Sequence, residues 1–373
     1  MAYFPMMTTP PDPEAAMTAP RDEGSALAPK LDSPQHRPRP LPLFLAMLRR
    51  ETEGAPERLE RGLAGLRRYQ EAPRAAPPGP PAPVAELLGA KVRDYGGEGP
   101  PVLFVPSLIN PPSILDLPGR SLLGWLAGQG RVRPLLLDWG WNVEERSALS
   151  VAGHVESVLL PLIAALGERT ALVGYCLGGT MALAAAGPSG APAVAAIAAP
   201  WRFSAFPDEA RSTLARLWES AAATSKALGC LPMEVLQSAF WSLDPARTVS
   251  KFEAFAEMAE GSAEARAFVT LEDWANDGPP LPHAAALELF EDMFGRDVTG
   301  RGGWALADPA ALSCPFLDIV STSDRIVPAG SATGAGERLE LAQGHVGMVV
   351  GGRAKAALWE PLAAWLSRHA ARC

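Results

Sequence analysis

Leu172-Val-Gly-Tyr-Cys-Leu-Gly-Gly-Thr180 runs from an apolar strand-like segment through Gly174-x-Cys176-x-Gly178 into a helical pattern. That is the form of a nucleophile elbow, with Cys where Ser usually stands. A sharp strand-to-helix turn holds the nucleophile in a strained backbone and leaves no room for Cβ atoms beside it, hence the glycines. A helix N-terminus beneath Cys176 favours the thiolate, the reactive form. A buried structural Cys in a Gly-rich turn is the plainer alternative.

Outward from the elbow, short apolar runs alternate with helical patterns. Val102 to Val105, Arg133 to Leu137, Thr170 to Gly174 and Ala193 to Ala198 are strand-like. Ser121 to Gln129, His154 to Leu166 and Leu177 to Ala186 are helical. Such alternation predicts a mostly parallel sheet with helices on both faces. From Arg202 to about Leu312 the strands stop and helical patterns rich in Ala, Glu, Phe and Trp take over. Strand character returns at Phe316 to Ser321 and Glu337 to Leu341, and Lys355 to His369 closes the chain as a helix. A helical insertion that caps one end of the sheet is the economical reading.

The remaining partners of a Cys nucleophile then have defined places. In an α/β-hydrolase the acid and then the histidine follow the nucleophile, each in a loop after a late strand. Asp324, in STSDRIVP, follows the strand Phe316 to Ser321, and His345, in QGHVGM, follows the strand Glu337 to Leu341. Of the five histidines, His36 falls in a Pro-rich segment, His154 and His369 in helical patterns, and His283 within the cap. Asp318 lies inside a strand and Asp308 in a connection, so Asp324 is the better orienting acid. A turn-forming Asp is the alternative reading of it. An oxyanion hole needs two backbone N–H groups: Leu177, after the nucleophile, and either Leu108 or Ile109 in VLFVPSLIN. Asp138, in LLLDWG, is equally a site residue or a loop cap.

Composition sets limits. Gly and Pro (35 and 38 of 373 residues) make up about a fifth of the chain, well above the ordinary share, which excludes a long helical array. Hydrophobic residues at 48% exclude disorder throughout, and a formal charge of −8 offers no basic surface for nucleic acid or an anionic membrane. The cysteines Cys176, Cys230, Cys314 and Cys373 are scattered without a CxxC, which excludes a disulfide scaffold and a Cys-type zinc site, and no metal is expected. Ala171 to Trp201 is uncharged, but its glycines and prolines break it into pieces too short for a transmembrane segment. The start has neither a basic n-region nor an apolar h-region, so a cytoplasmic location is expected. Ten prolines in residues 1–43 predict disorder there, and a helix follows from Phe44 to Gln70, with Leu59, Leu63 and Leu66 on its apolar stripe and docked on the main domain. Six prolines from Pro73 to Pro83 then predict a stiff linker.

Leu108-Ile-Asn110, Ile114-Leu-Asp-Leu117, Pro118-Gly-Arg-Ser-Leu122, Leu137-Asp-Trp-Gly140, Gly174-Tyr-Cys-Leu-Gly-Gly179, Asp324-x-Ile-Val-Pro328 and Gly344-His-Val-Gly347, in this order, resemble the polyhydroxyalkanoate synthases. The chain is most similar to the class III catalytic subunit, from about residue 98 to 367, and LEDWANDG at Leu271 to Gly278 resembles the family's cap segment. Two positions depart from the family: Arg325 stands where a His usually follows the acid, and Arg202 where an Asp follows the Pro-Trp of the cap entry. The resemblance implies an α/β-hydrolase core whose Cys176, Asp324 and His345 polymerise 3-hydroxyacyl groups from CoA thioesters with no further cofactor. It also implies a second synthase subunit or a second copy of the chain as partner, and a polyester granule surface. A Cys-dependent hydrolase, a thioesterase or an enzyme like dienelactone hydrolase, is the alternative reaction, and a non-catalytic granule-associated relative the alternative class. The expected segments are 1–43 disordered, 44–97 helix and linker, 98–201 core, 202–312 helical cap and 313–373 core.

Overall fold

Strands that are apolar on both faces must be covered on both sides. Eight strands meet that condition or flank those that do: β1 Pro83–Leu87, β2 Ala90–Asp94, β3 Pro101–Val105, β4 Arg133–Asp138, β5 Ala171–Tyr175, β6 Val194–Ile197, β7 Phe316–Ser321 and β8 Glu337–Leu341. In the computed structural model, which describes residues 36–74, 79–304 and 307–371, they lie side by side in the order β1-β2-β4-β3-β5-β6-β7-β8. Only β2 runs against the rest, pairing antiparallel with both β1 and β4. This is the arrangement of an α/β-hydrolase.

Successive residues of the central strands point to opposite faces. Leu103, Val105, Leu135, Leu137 and Leu172 join one buried cluster, while Val102, Phe104, Leu136, Val173 and Ile197 join the other. Helices α3 (Leu122–Gln129), α4 (Val151–His154, continued through Val155–Leu159 and Leu160–Ala165) and α5 (Leu177–Ala186) make the parallel crossovers. The N-terminus of α3 is fixed by Ser121, whose Oγ accepts the Gly124 N–H at 2.8 Å, and its C-terminus by Gly130 at φ 65°. Register aligns the strand ends: Val105 faces Gly174, Tyr175 faces Ile197, Ile197 faces Ile319 and Ser321 faces Leu341. The loops that leave β3, β5, β7 and β8 therefore open on one edge of the sheet.

Between β6 and β7 the chain forms the helical cap: α6 (Asp208–Leu228), α7 (Met233–Leu243), α8 (Pro245–Glu257), α9 (Ala263–Ala275) and α10 (His283–Leu287, continued by Glu288–Gly295). The closing helix α11 spans Glu360–His369.

The N-terminal part differs from expectation. The sheet starts at residue 83, not 98, because the end of the Pro-rich stretch and the charged segments after it form the β1–β2 edge hairpin. The single expected helix is two, α1 (Leu41–Glu51) and α2 (Pro56–Glu71), parted at Gly54, whose φ of 74° a helix cannot continue, with Pro56 opening the second. The Leu59–Leu63–Leu66 stripe is not the buried face, since Leu63 is 43% exposed while Gly62, Gly65, Leu66 and Tyr69 are buried. A Cβ on Gly65 would stand 1.9 Å from the Phe252 carbonyl oxygen, so α2 lies directly against the α8 backbone. The pair of helices docks on the cap rather than the sheet: Phe44, Leu48, Leu66 and Tyr69 pack with Trp241, Phe252 and Phe255. Residues 1–35 of the segment expected to be disordered, and residues 75–78 of the linker, lie outside the described residues.

Candidate active site

Cys176 sits between β5 and α5 with φ 56° and ψ −133°, a conformation that only a surrounding structure can impose on a non-Gly residue. Its own N–H is held by the Ile197 carbonyl at 2.9 Å. The flanking glycines permit the turn: a Cβ on Gly174 would fall 2.3 Å from the Gly178 carbonyl oxygen, and one on Gly178 would fall 2.1 Å from that of Val105. The elbow is thus pressed against the end of β3 and the loop that follows it.

The loop after β7 carries Asp324, whose Oδ1 accepts the N–H groups of Ile326 at 2.8 Å and Val327 at 3.0 Å. This leaves Oδ2 to accept His345 Nδ1–H at 2.6 Å. Both side chains are almost wholly buried. The His345 ring stacks on Tyr175, centroids 5.0 Å apart and planes 27° apart, and the Tyr175 hydroxyl donates to the His345 carbonyl at 3.2 Å. Burial opposes a charged imidazole there, but the facing Cys176 sulfur and the Asp324 carboxylate outweigh it and raise the His345 pKa to about 10. Burial also pushes the Tyr175 hydroxyl well above its usual range, so it stays a neutral donor.

Cys176 and His345 line one cavity of about 200 Å³. Its floor is the elbow and the loop Pro106 to Pro111, and its roof is cap, with Gln237, Phe240, Trp241, Lys251 and Trp274. The walls are mainly apolar, and Lys251 among them is paired with Glu272 at 2.7 Å. Leu177 is the first residue of α5, so its N–H has no partner within the helix. Of the two candidates in the β3 loop, Ile109 donates its N–H to Ser107 Oγ at 3.2 Å.

The structure brings Cys176, His345 and Asp324 to one place and sends the other candidates elsewhere. Asp138 pairs with Arg93 at 2.9 Å and accepts the Gly140 N–H at 3.0 Å, a structural cap. Asp318 takes the Thr333 hydroxyl at 2.8 Å. His154 is fully buried and donates Nδ1–H to the Ser150 carbonyl at 2.7 Å. His36 meets Asp273 at 3.4 Å and His283 meets Ser225 at 3.0 Å, both away from the cavity. Arg325 reaches the cap to pair with Asp244, and Arg202 donates to the Thr333 carbonyl at 2.6 Å, so both departures from the family pattern are structural contacts. Among the described residues no group of three or more His, Cys, Asp or Glu side chains is placed to hold a metal ion, and no helix is long and apolar enough to cross a membrane. The support that Tyr175 gives His345 was not singled out from the sequence, although Tyr175 stands beside Cys176 in the elbow.

No family model matches the chain. It is 28% identical to the poly(3-hydroxyalkanoate) polymerase subunit PhaC of Haloferax mediterranei, over 72% of this chain and 59% of that protein. To the subunit of the same name from Haloarcula marismortui it is 25% identical, over 76% and 64%. To that from Allochromatium vinosum it is 26% identical, over 72% and 81%. The match thus spans less than two thirds of the length of the first two relatives. Among solved structures, a monoacylglycerol lipase from Paleococcus ferrophilus superposes with a TM-score of 0.47 at 17% identity, over 75% of this chain and 99% of that one. An esterase from Thermogutta terrifontis gives 0.45 at 16%, over 79% and 99%. Likeness at this level says nothing of the reaction. In sequence the chain resembles the poly(3-hydroxyalkanoate) polymerase subunits, and it is built on an α/β-hydrolase core.

Proposed function

We propose that the chain is an acyltransferase that moves 3-hydroxyacyl groups from CoA thioesters onto a growing polyester. The observation that carries this is the mainly apolar cavity roofed by the cap, with Cys176 and His345 in its wall and Asp324 behind His345. His345 takes the Cys176 proton, and the sulfur attacks the thioester carbonyl. The developing oxyanion is received by the N–H groups of Leu177 and Leu108. The C–S bond to CoA breaks, and the CoA sulfur leaves with the proton from His345. The product is again a thioester, so the acyl group stays activated. A 3-hydroxyl then gives its proton to His345 and attacks the acyl carbon, an ester bond forms, and Cys176 is released. Asp324 orients His345 and stabilises its charged form, as the acid does in serine triads.

The largely aromatic roof of Phe240, Trp241 and Trp274 supports transfer over hydrolysis, because water competes with the hydroxyl for the acyl-enzyme. At about 200 Å³ the cavity is smaller than the roughly 300 Å³ at which pockets for drug-sized ligands begin. It suits an acyl group, and the cap must shift to admit CoA. A second subunit or a second copy of the chain, and a polyester surface, are the partners this reading brings with it. The test is incubation with 3-hydroxybutyryl-CoA, with and without such a subunit, measuring free CoA and the acyl product together. An oligoester that lengthens with time is expected. Free 3-hydroxy acid in equal amount to CoA under both conditions would make the chain a thioesterase-like hydrolase. No release of CoA under either, with Cys176 unreactive to a thiol probe, would make it a binding relative.

A further inference from the structure

The loop from Pro106 to Pro111, which carries Leu108, is held at its two ends by two tryptophans from different layers. Trp139 Nε1–H donates to the Pro106 carbonyl at 3.0 Å, and Trp274 Nε1–H donates to the Pro111 carbonyl at 2.9 Å. Trp139 follows β4 in the core and is 3% exposed. Its own carbonyl accepts from the guanidinium of Arg146, which is 1% exposed and also donates to the Asn142 carbonyl at 3.3 Å. That end of the loop is anchored in the core. Trp274 belongs to α9, so the other end is anchored in the cap.

One further contact binds this loop to the cap, and another fixes the cap segment that holds it. Gly278 has φ 154°, and a Cβ there would lie 2.8 Å from the Ile109 carbonyl oxygen, so the chain after α9 rests on the loop backbone. Asp273, next to Trp274, accepts the Tyr69 hydroxyl at 2.7 Å and the Arg74 guanidinium at 2.8 and 2.9 Å, which fixes this end of α9 to the N-terminal helices. Between the anchors, Ser107 Oγ accepts the Ile109 N–H at 3.2 Å, so of the two loop donors the proposed mechanism uses that of Leu108.

We infer that Trp139 and Trp274 are positioning residues which hold the Leu108 N–H in place. Because one of them rides on the cap, the oxyanion hole is complete only while the cap is seated. A cap lifted to admit CoA breaks the Trp274–Pro111 bond and slackens the loop, and its return restores the donor. Acylation is thereby confined to the closed, water-excluding state. The inference rests on the acyl-transfer reading for its chemistry, but not for its structural half.

The test uses Trp274→Phe and Trp139→Phe, which keep an aromatic ring and remove the indole N–H. In the full chain, amide hydrogen exchange over residues 106–111 is expected to quicken in both variants, whatever the substrate. The kcat for CoA release from 3-hydroxybutyryl-CoA is expected to fall about ten- to hundred-fold, the scale of a displaced catalytic group or a weakened oxyanion donor, with KM little changed. Alkylation of Cys176 by iodoacetamide passes through no oxyanion and should keep its rate. Exchange unchanged in Trp274→Phe would overturn the inference. So would faster exchange with kcat intact, or alkylation falling in step with kcat, which would mean general damage to the site. Wild-type protein that releases no CoA would instead sink the acyl-transfer reading and, with it, the catalytic half of the inference, while the exchange measurement still decides whether the two tryptophans hold the loop.

Discussion

The edge of the sheet and the cap wall the same cavity but are held by different means. On the sheet edge each group sits at the end of a strand: Cys176 after β5, Asp324 after β7 and His345 after β8, with Tyr175 stacked behind the histidine. The paired strands place these groups, and short backbone contacts such as Asp324 with the Ile326 and Val327 N–H groups finish the job. The cap has no such frame. It is seated by side chains from distant parts of the chain: Trp274 on Pro111, Arg325 on Asp244, and the α1–α2 pair packed on α8 and α9. Chemistry should therefore fail most steeply through edits to the sheet edge, and stability and access through edits to the cap side, with Trp274 the exception because it also holds the loop that carries Leu108.

The largest effect expected is from Cys176→Ala, which should lower CoA release by at least about 10⁴-fold, as loss of a nucleophile does in triad enzymes, while the fold is kept. Because the position has φ 56°, Cys176→Gly should be the more stable of the two variants by about 1 kcal/mol in urea unfolding. The same loss should lower the His345 pKa from about 10, since the Cys176 sulfur is among the groups that raise it. With the sulfur present, the charged His345 adds stability that is full below about pH 6.5 and is lost as pH rises through about 10. A His345 ring signal that titrates identically in wild type and Cys176→Ala would break the link between them.

Asp324→Asn should follow, slowing turnover by up to about four orders of magnitude with substrate binding spared. A loss below about tenfold would mean that another acid serves His345.

On the cap side, Phe44→Ala removes a fully buried ring that packs on Trp241 and Phe252, with centroids 5.7 and 4.9 Å away. A cost of about 3–5 kcal/mol is expected in denaturant unfolding, with alkylation of Cys176 by a small reagent no slower than in wild type. Alkylation slowed in step with stability would show that the two regions are not independent.

A last effect concerns His154, which does not line the cavity. Burial lowers its pKa to about 4, so between there and about 6.5 the unfolded chain binds a proton that the folded chain does not. Stability should be full above about pH 6.5 and fall by about 2 kcal/mol between pH 7 and pH 5, relative to His154→Phe. Equal slopes for the two proteins would contradict this.

The same contrast explains what could be read from the sequence. The elbow, the alternation of strands and helices and the two late loops rest on local patterns, glycines at fixed spacing and apolar runs with punctuated ends, so the places of Cys176, Asp324 and His345 at the ends of strands were legible in outline. The β1–β2 hairpin was hidden by prolines and by the charges Glu86, Lys91 and Arg93, which suit a sheet edge as well as a linker. The buried face of α2 was misread because it is made by Gly62 and Gly65, whose value lies in letting a partner backbone approach. The indoles of Trp139 and Trp274 find carbonyls 33 and 163 residues away, and no local pattern announces such partners.

The measurement that bears most directly on the central claim is mass spectrometry of the protein quenched shortly after mixing with 3-hydroxybutyryl-CoA. The expected result is one 3-hydroxybutyryl group on the peptide carrying Cys176, slower to appear in Asp324→Asn and absent in Cys176→Ala. An acyl group on another residue, or CoA release that continues unchanged in Cys176→Ala, would contradict it.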